Sequence, residues 1–377
     1  MPKRPQKKLR LCFICESNVI HSKKWVRFFI EQGHDVHVLT PNPPPPVPIE
    51  GATLYSLKRQ LGKKSLPKLC NYLSLVKQSY TYIRSIKPDI LNVLFLTDYG
   101  FWGALSGFHP FVITPWGSDV LRHPFQKRFW YYINFYALKK CDLIISNSKP
   151  MHAVLVNKMK VPEDKISDII LTGVDFGEFY SEKHTGLKQK LGIEEEIIIF
   201  SNRNLESIYN IDCIIHMFAL FRKTKPNSQL IIAGDGSQRD VLKDLSNRLN
   251  LGSSIAFEGK ISANAIRDYL NLSDLFVTVP QSDSCATSLM EAFACKSTLV
   301  ASDIDGNKAW INNGVNGWLI NPKDYKRFSQ ICLKALNEPI ADENIEANFR
   351  RVQNVADQHV NMHKIEMEYY KLANSNY

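Results

Sequence analysis

LFVTVPQSDSCATSLMEAFACKSTLVASDIDG, Leu275 to Gly306, is the stretch whose reading sets the architecture of this chain. LFVTV (Leu275 to Val279) and TLVAS (Thr298 to Ser302) are short apolar runs of the kind that form buried parallel strands, and Ser288 to Ala294 between them reads as a helix. Strand, helix and strand in that order make a βαβ unit. In open α/β sheets ligands bind beyond the carboxyl ends of the strands, so the loop between Val279 and Ser288 is the part of the unit that meets a ligand. It carries Asp283, and the helix after it carries Glu291 eight residues later. Free N–H groups at a helix start suit an anion, and carboxylates accept from hydroxyls. A sugar nucleotide offers both.

Length and composition bound the rest. A chain of 377 residues is too long for one ordinary α/β core, so two domains are expected. Hydrophobic residues make up 44% and charged residues 22%, the balance of a globular enzyme. No run of about 18 apolar residues is present, and MPKRPQKKLRLCFIC passes from charges straight into a strand without a cleavage site. Neither a membrane span nor a secretory signal is therefore expected. The eight cysteines stand singly in apolar contexts, as at Cys70, Cys141, Cys213 and Cys332, which suits a reducing cytoplasm rather than a disulfide framework. Cys12 and Cys15 form a CxxC inside the first strand and read as core residues rather than a redox or zinc pair.

The net charge of +10 is unevenly spread: residues 1–170 hold 25 Lys/Arg against 11 Asp/Glu, and the remainder 22 against 26. Two basic clusters (Lys3, Arg4, Lys7, Lys8, Arg10 and Lys58, Arg59, Lys63, Lys64, Lys68) accompany FQKRFWYYINFYALKK (125–140), a segment of aromatics and cations. A basic amphipathic surface can rest on anionic lipid, each nearby cation contributing on the order of 1 kcal/mol. For the basic half as a whole a membrane-surface role is favoured. For the helix at 125–140 itself the plainer reading is favoured, because Phe129, Trp130, Ile133 and Tyr136 recur at helical spacing and suit a stripe facing the core.

Outward from the opening unit, strands and helices alternate in two series, which means parallel sheets with helices on both faces. The first series runs LRLCFIC (9–15), a helix from Ser22 to Gln32 with Ser22 as N-cap and Gly33 as stop, DVHVLT (35–40), the extended loop PNPPPP (41–46), a helix about 66–85, DILNV (89–93), FVIT (111–114), the helix about 125–140 and DLIIS (142–146). The second runs IIIFSN (197–202), a helix from Asn210 to Lys223, QLIIAG (229–234), a helix from Ser237 to Asn250, IAFEG (255–259), a helix from Ala263 to Leu272, the opening unit and GWLI (317–320), with polar helices over about 323–337 and 341–373 at the end. The boundary falls between about Leu171 and Glu196. This gives domains over 1–175 and 176–354, with a helix about 355–377 free to pack back on the first.

Several loops carry chemistry. Arg203 and Asn204 follow IIIFS directly, and an arginine there, always charged and with a planar fork of donors, suits a diphosphate. AGDGS (233–237) is not a dinucleotide fingerprint; Gly234 and Gly236 read as turn residues that let backbone approach a ligand. FEGKIS (257–262), with Gly259, Lys260 and Ile261, could hold a base through backbone groups. Glu291 lies among the apolar residues of SLMEAFA, where an unpaired carboxylate is costly and a ribose hydroxyl would satisfy it. Asp303 and Asp305 spell DxD but run into a turn at Gly306, so metal binding is not expected there. In the first half TPWGSD (114–119) places Ser118 and Asp119 after a strand, and CESNVIHSKKW (15–25) places Asn18 and His21 at the tip of strand one.

Taken in order, HSKKWVRFFIEQGHDVHVLT, PDILNV, TPWGSDV, CDLIISNS, GVDFGEF, SNRNLESIYNID, AGDGS, SDSCATSLMEAFACKSTLVASD and GVNGWLINP resemble the family 4 retaining glycosyltransferases, known also as glycosyl transferases group 1. The resemblance covers most of the chain. It implies the GT-B architecture, two facing Rossmann-like domains with parallel sheets and a cleft between them, with acceptor binding by the first domain and nucleotide-sugar binding by the second. It implies that Glu291 binds ribose hydroxyls and Asp283 those of the transferred sugar. Backbone N–H groups near Ser284, Ala286, Thr287, Ser288 and Leu289 would serve the diphosphate with Arg203, and Asn204 and Gly234 would line the donor site. The acceptor side would take Asn18, His21, Trp116 and Ser118. Three departures stand out: Asp283 where the family usually has Glu, Tyr209 and Asn210 where a lysine usually follows the arginine, which makes these two the expected donor contacts at that place, and Trp116 where the TxHG turn has histidine. The last leaves donor positioning to Trp116 and Asp119, and puts Asp119 beside Asp283 and Arg203 among the expected catalytic residues.

Such a transferase moves a hexose-type sugar from a nucleotide diphosphate to a hydroxyl of a saccharide or lipid-linked acceptor, with no metal or organic cofactor. It would work in the cytoplasm or on the cytoplasmic face of a membrane, in surface polysaccharide or glycoconjugate assembly. Rival readings are a sugar-nucleotide epimerase or a phosphorylase of the same architecture, and a non-enzymatic basic binder of membrane or nucleic acid resting on the pI of about 9.1. No RNA- or DNA-binding pattern supports the nucleic-acid version, so none is expected as partner.

Overall fold

Runs such as LCFI and LIIA, apolar at every position, form parallel strands because both of their faces can then be covered by helices. The computed structural model describes residues 7–41, 49–58, 68–169, 173–182, 187–190, 194, 196–283 and 287–375. It divides into two units, 1–171 with 360–377, and 172–359.

The first unit opens with β1 (Arg10–Ile14), α1 (Ile20–Glu31), β2 (Asp35–Thr40), β3 (Ala52–Ser56), α2 (Lys68–Ile86) and β4 (Ile90–Val93). An irregular turn at Leu96–Gly100 leads to α3 (Phe101–Ser106), β5 (Phe111–Ile113), α4 (Ser118–Leu121), α5 (His123–Gln126), α6 (Arg128–Lys140), β6 (Leu143–Ser146), α7 (Lys149–Asn157) and β7 (Ile166–Asp168). The seven strands lie in the order β3-β2-β1-β4-β5-β6-β7, all parallel. Successive residues of β1 alternate between two cores: Cys12 and Ile14 join Leu91, Val93 and Ile113, while Leu11 and Phe13 join Trp25, Phe29 and Tyr369. Cys12 and Cys15 are both fully buried, and burial raises both thiols, that of Cys15 to about 12.

The second unit holds α8 (Leu187–Lys190), β8 (Ile197–Asn202), α9 (Ile211–Phe221), β9 (Ser228–Ala233), α10 (Arg239–Arg248), β10 (Ile255–Gly259), α11 (Ala263–Leu272) and β11 (Leu275–Thr278). It continues through α12 (Thr287–Ala294), β12 (Leu299–Ser302), α13 (Asp305–Lys308), β13 (Trp318–Ile320), α14 (Tyr325–Asn337) and α15 (Asp342–Ala356). Its sheet, again parallel, runs β10-β9-β8-β11-β12-β13. The last helix, α16 (Gln358–Asn374), begins in this unit and lays Ile365, Glu366 and Tyr369 into the first. There Glu366 accepts from the buried His34 (3.0 Å) and Tyr369 stacks on Phe29 at 5.2 Å.

Several elements differ from the sequence reading. Ser22 is not an N-cap: α1 starts at Ile20, and Ser22 is buried within it. The helix expected over 341–373 breaks at Asp357, where the backbone leaves the helix to bridge Val174. Phe129 and Tyr136 do not form a core stripe; α6 buries Ile133, Asn134, Ala137 and Leu138 and turns Phe129 outward, 64% exposed. No helix among the described residues is long and apolar enough to cross a membrane. Most of PNPPPP, Lys3, Arg4 and Arg59 to Lys64 lie outside the described residues.

Candidate functional site

In the second sheet the chain runs outward from β8 through β9 to β10, then returns to the other side of β8 as β11. Loops after neighbouring strands that lead away in opposite directions diverge and leave a crevice at that switch point. The two loops there carry Arg203, directly after β8, and Asp283, after β11. They meet: Arg203 Nη2 lies 2.6 Å from Asp283 Oδ2, and Arg203 Nη1 donates to Ser288 Oγ on the first turn of α12 at 2.9 Å. The face of Tyr209 backs the guanidinium at 4.4 Å. Both charged side chains keep an edge in water, at 12% and 16% exposure. The arrangement is a cation held on three sides beside the N-terminus of a helix.

The loops are braced from behind. Gly234 follows β9 with φ +138°, and a Cβ there would stand 2.1 Å from the carbonyl oxygen of Arg203; only glycine lets the two backbones pass. The close approach expected toward a ligand is thus made to the arginine loop itself. Leu205 N–H donates to the carbonyl of Asp235, and Gln238 N–H to that of Leu205. Glu206 accepts from the Ser237 N–H (2.8 Å) and hydroxyl (2.6 Å), which hold its carboxyl below the usual range. Asn210, left-handed and buried, donates to the Val279 carbonyl at 2.8 Å and accepts from Gln281 at 3.0 Å. Its side chain joins the two loops and is not free for a phosphate, a correction to its expected donor contact. Tyr209 likewise acts through Arg203.

Ser288 and Glu291 are one turn apart on α12 and so share a face. Glu291 is half-buried, and after burial itself its charge is the largest influence raising the Cys295 thiol to about 12. Leu289 is fully buried, so only its backbone N–H is available to a ligand. Ser284 and Ala286 lie outside the described residues. After β10, Gly259 has open space where a side chain would stand, Lys260 is exposed and Ile261 half-buried; Asn204 is exposed. Asp303 of the DxD sequence pairs with Lys308 at 2.8 Å, and the described residues contain no group of three or more His, Cys, Asp or Glu that could hold a metal.

The first unit has its own switch point, between β1 and β4. His21 and Trp116 come together beside it, their rings 5.6 Å apart, with Trp25 6.3 Å from Trp116. Asn18 and Ser118 are exposed nearby in sequence. Asp119 is a correction. It is fully buried, and its carboxylate accepts from the N–H groups of Leu96 (2.7 Å), Gly117 (2.8 Å) and Trp116 (3.1 Å). Burial pushes this carboxyl above its usual range, while the N–H groups pull it back. A carboxylate enclosed in this way positions a turn and does not touch a substrate.

A family model described as Glycosyl transferase 4-like matches residues 10–148, and one described as Glycosyl transferases group 1 matches residues 184–352. The chain belongs to the group 1 glycosyltransferases. This family member is 22% identical over 331 residues to N-acetyl-alpha-D-glucosaminyl L-malate synthase of Bacillus anthracis, covering 84% of this chain and 83% of that protein. It is 25% identical over 198 residues to the alpha-monoglucosyldiacylglycerol synthase of Acholeplasma laidlawii, covering 51% and 49%. The glycosyltransferase chain spans about half to three fifths of the length of several curated relatives it matches. Among solved structures it is similar to Anabaena HepE in complex with UDP-glucose, with TM-score 0.78, 16% identity, and coverage of 97% of this chain and 100% of that one. At that identity the likeness establishes the fold, two Rossmann-like domains with parallel sheets.

What sequence reasoning missed is how Arg203 is held, by the Ser288 hydroxyl and the Tyr209 ring, and the role of Gln281, which donates to Asn210 and so ties the two loops. The only signal for Gln281 is its place two residues before Asp283.

Proposed function

We propose that this protein transfers a hexose-type sugar from a nucleotide diphosphate to a hydroxyl of a saccharide or lipid-linked acceptor with retention, in surface polysaccharide or glycoconjugate assembly. One observation carries the reading: Arg203, pinned by Asp283, Ser288 and Tyr209, stands at the switch point beside the start of α12. A diphosphate accepts from the guanidinium and from the N–H groups of Thr287, Ser288 and Leu289. Glu291, one turn along, takes the ribose hydroxyls, and the loop at Gly259 to Ile261 takes the base. Asp283 serves first by aiming Arg203, and by its place at the loop it lies toward the transferred sugar.

In the reaction the acceptor oxygen attacks the anomeric carbon as the bond from that carbon to the phosphate oxygen breaks. The electron pair leaves on the diphosphate, which takes the acceptor proton on the same face. The developing charge on the leaving group is met by Arg203 and the helix start, already in place and needing no reorganisation. No metal or organic cofactor is part of the proposal. His21, Trp116, Asn18 and Ser118 form its acceptor side, and the basic first unit brings it to a membrane-proximal acceptor. Of the two relatives, the synthase named for monoglucosyldiacylglycerol supports a lipid acceptor, while the one named for a malate glycoside bears on neither acceptor class.

A thermal-shift screen across UDP, GDP, ADP and CMP sugars tests the reading. One base is expected to raise the melting temperature, and Glu291→Ala to abolish the shift while keeping its own transition cooperative. A screen in which no nucleotide sugar shifts the wild type, or in which Glu291→Ala responds fully, sinks it.

A further inference from the structure

The outward face of α5, α6 and α3 is a feature of the first unit that the donor chemistry does not use. Phe129, Tyr132 and Tyr136 follow at intervals of three and four residues, which places them along one side of α6; Phe125 lies on α5, before the break at Lys127, and all four are exposed, Phe129 and Tyr132 at 64%. Leu105 of α3 is exposed too, one turn from Phe101, whose ring meets Tyr136 at 5.9 Å. Cations interleave with the rings. Arg122, Lys127, Arg128, Lys139 and Lys140 are exposed, Lys158 stands over Phe125 at 5.2 Å, and Lys140 over Tyr136 at 6.0 Å. Acids are few: between Leu57 and Cys141 the sequence has only Asp89, Asp98 and Asp119, and the exposed Glu163 and Asp164 follow Lys158. None of the first three is exposed.

We propose that this face is a docking surface for an anionic lipid bilayer, the aromatic rings entering the headgroup layer and the surrounding cations meeting lipid phosphates. Charge complementarity selects the occupant. An interfacial helix needs an apolar stripe that tolerates the polar boundary, which tyrosine does, and flanking cations with few acids to repel the surface. A protein partner of ordinary composition would ask for paired charges of both signs. Nucleic acid would use the cations and stack on the rings, but it makes no use of the aliphatic Leu105 exposed beside them, which suits lipid. The inference rests on the reading that the first unit works at a membrane, and names the surface that does so.

The test is sedimentation of the full chain with phosphatidylcholine vesicles, with and without about 30% phosphatidylglycerol. No sugar nucleotide is present, so the result is independent of the donor reading. Binding is expected only to the anionic vesicles, weakened at least tenfold in Phe129→Ser/Tyr132→Ser and again in Arg128→Gln/Lys139→Gln/Lys140→Gln, with melting temperature and sugar-nucleotide thermal shift unchanged. Equal binding to neutral vesicles, no binding, or full binding by the aromatic double variant overturns the proposal. So does self-association, or retention on nucleic acid, that the same aromatic substitutions abolish while vesicle binding persists.

Discussion

Asp119, on the first turn of α4 in the first unit, and Asp283, in the loop before α12 in the second, each follow a parallel strand, yet their carboxylates meet different partners. Asp119 takes N–H groups from its own turn and from Leu96, and is sealed from water. Asp283 takes one guanidinium from a residue 80 positions earlier and keeps contact with solvent. An acid two or three residues after backbone donors folds back on them and stays local. An acid whose partner comes from another strand's loop holds two loops together and leaves the partner's other donors for a ligand.

The strongest way to sharpen the contrast is Arg203→Ala. Removing the preorganised cation should lower transfer by about 10²–10³-fold, as loss of one donor to a developing oxyanion does, with melting temperature nearly kept. Steady-state rates with the donor found in the thermal-shift screen check it. Asp119→Ala should do the reverse. Three N–H groups left without partners at about 1 kcal/mol or more each cost about 3 kcal/mol of stability, read by urea unfolding. If its loss appeared in turnover with stability intact, the contrast would break.

A smaller effect isolates the Arg203–Asp283 pair. In a double-mutant cycle with Arg203→Ala and Asp283→Ala, the two losses should fail to add by at least about 1 kcal/mol in kcat/KM, because Asp283 acts through the guanidinium. Additive losses would assign Asp283 to the sugar alone. Smallest is the hook of Glu206 on Ser237. Its folded pKa is depressed, so its contribution is complete above the ordinary carboxylate value and is lost as pH falls through the folded one. The melting-temperature gap between wild type and Glu206→Gln should therefore be present at neutral pH and close in acid.

The sheets were legible because parallel strands are apolar throughout, and the loops because ligands gather at strand ends; Arg203, Asp283 and Ser288 all stand out in the sequence by their places there. Their mutual geometry was not, since pairing across 80 residues leaves no local trace. Asn210 and Tyr209 were read by their position after the arginine, but a left-handed residue that pins a neighbouring loop looks the same in sequence as one that meets a phosphate. The exposed stripe of α6 was misread for a related reason. Helical spacing of aromatics shows that they share a side, and only packing shows which side that is. Phe129 and Tyr136 kept the expected spacing while Ile133, Ala137 and Leu138 took the core.

The passage of α16 from the second unit into the first bears on the order in which the protein is made. Tyr369 on Phe29 and Glu366 on His34 join residues to partners made far earlier, His34 leaving the ribosome 332 positions before Glu366. The amino-terminal sheet therefore waits, with one side of its core uncovered, through synthesis of the whole second unit. During that interval Phe29 lacks the ring that covers it in the finished fold.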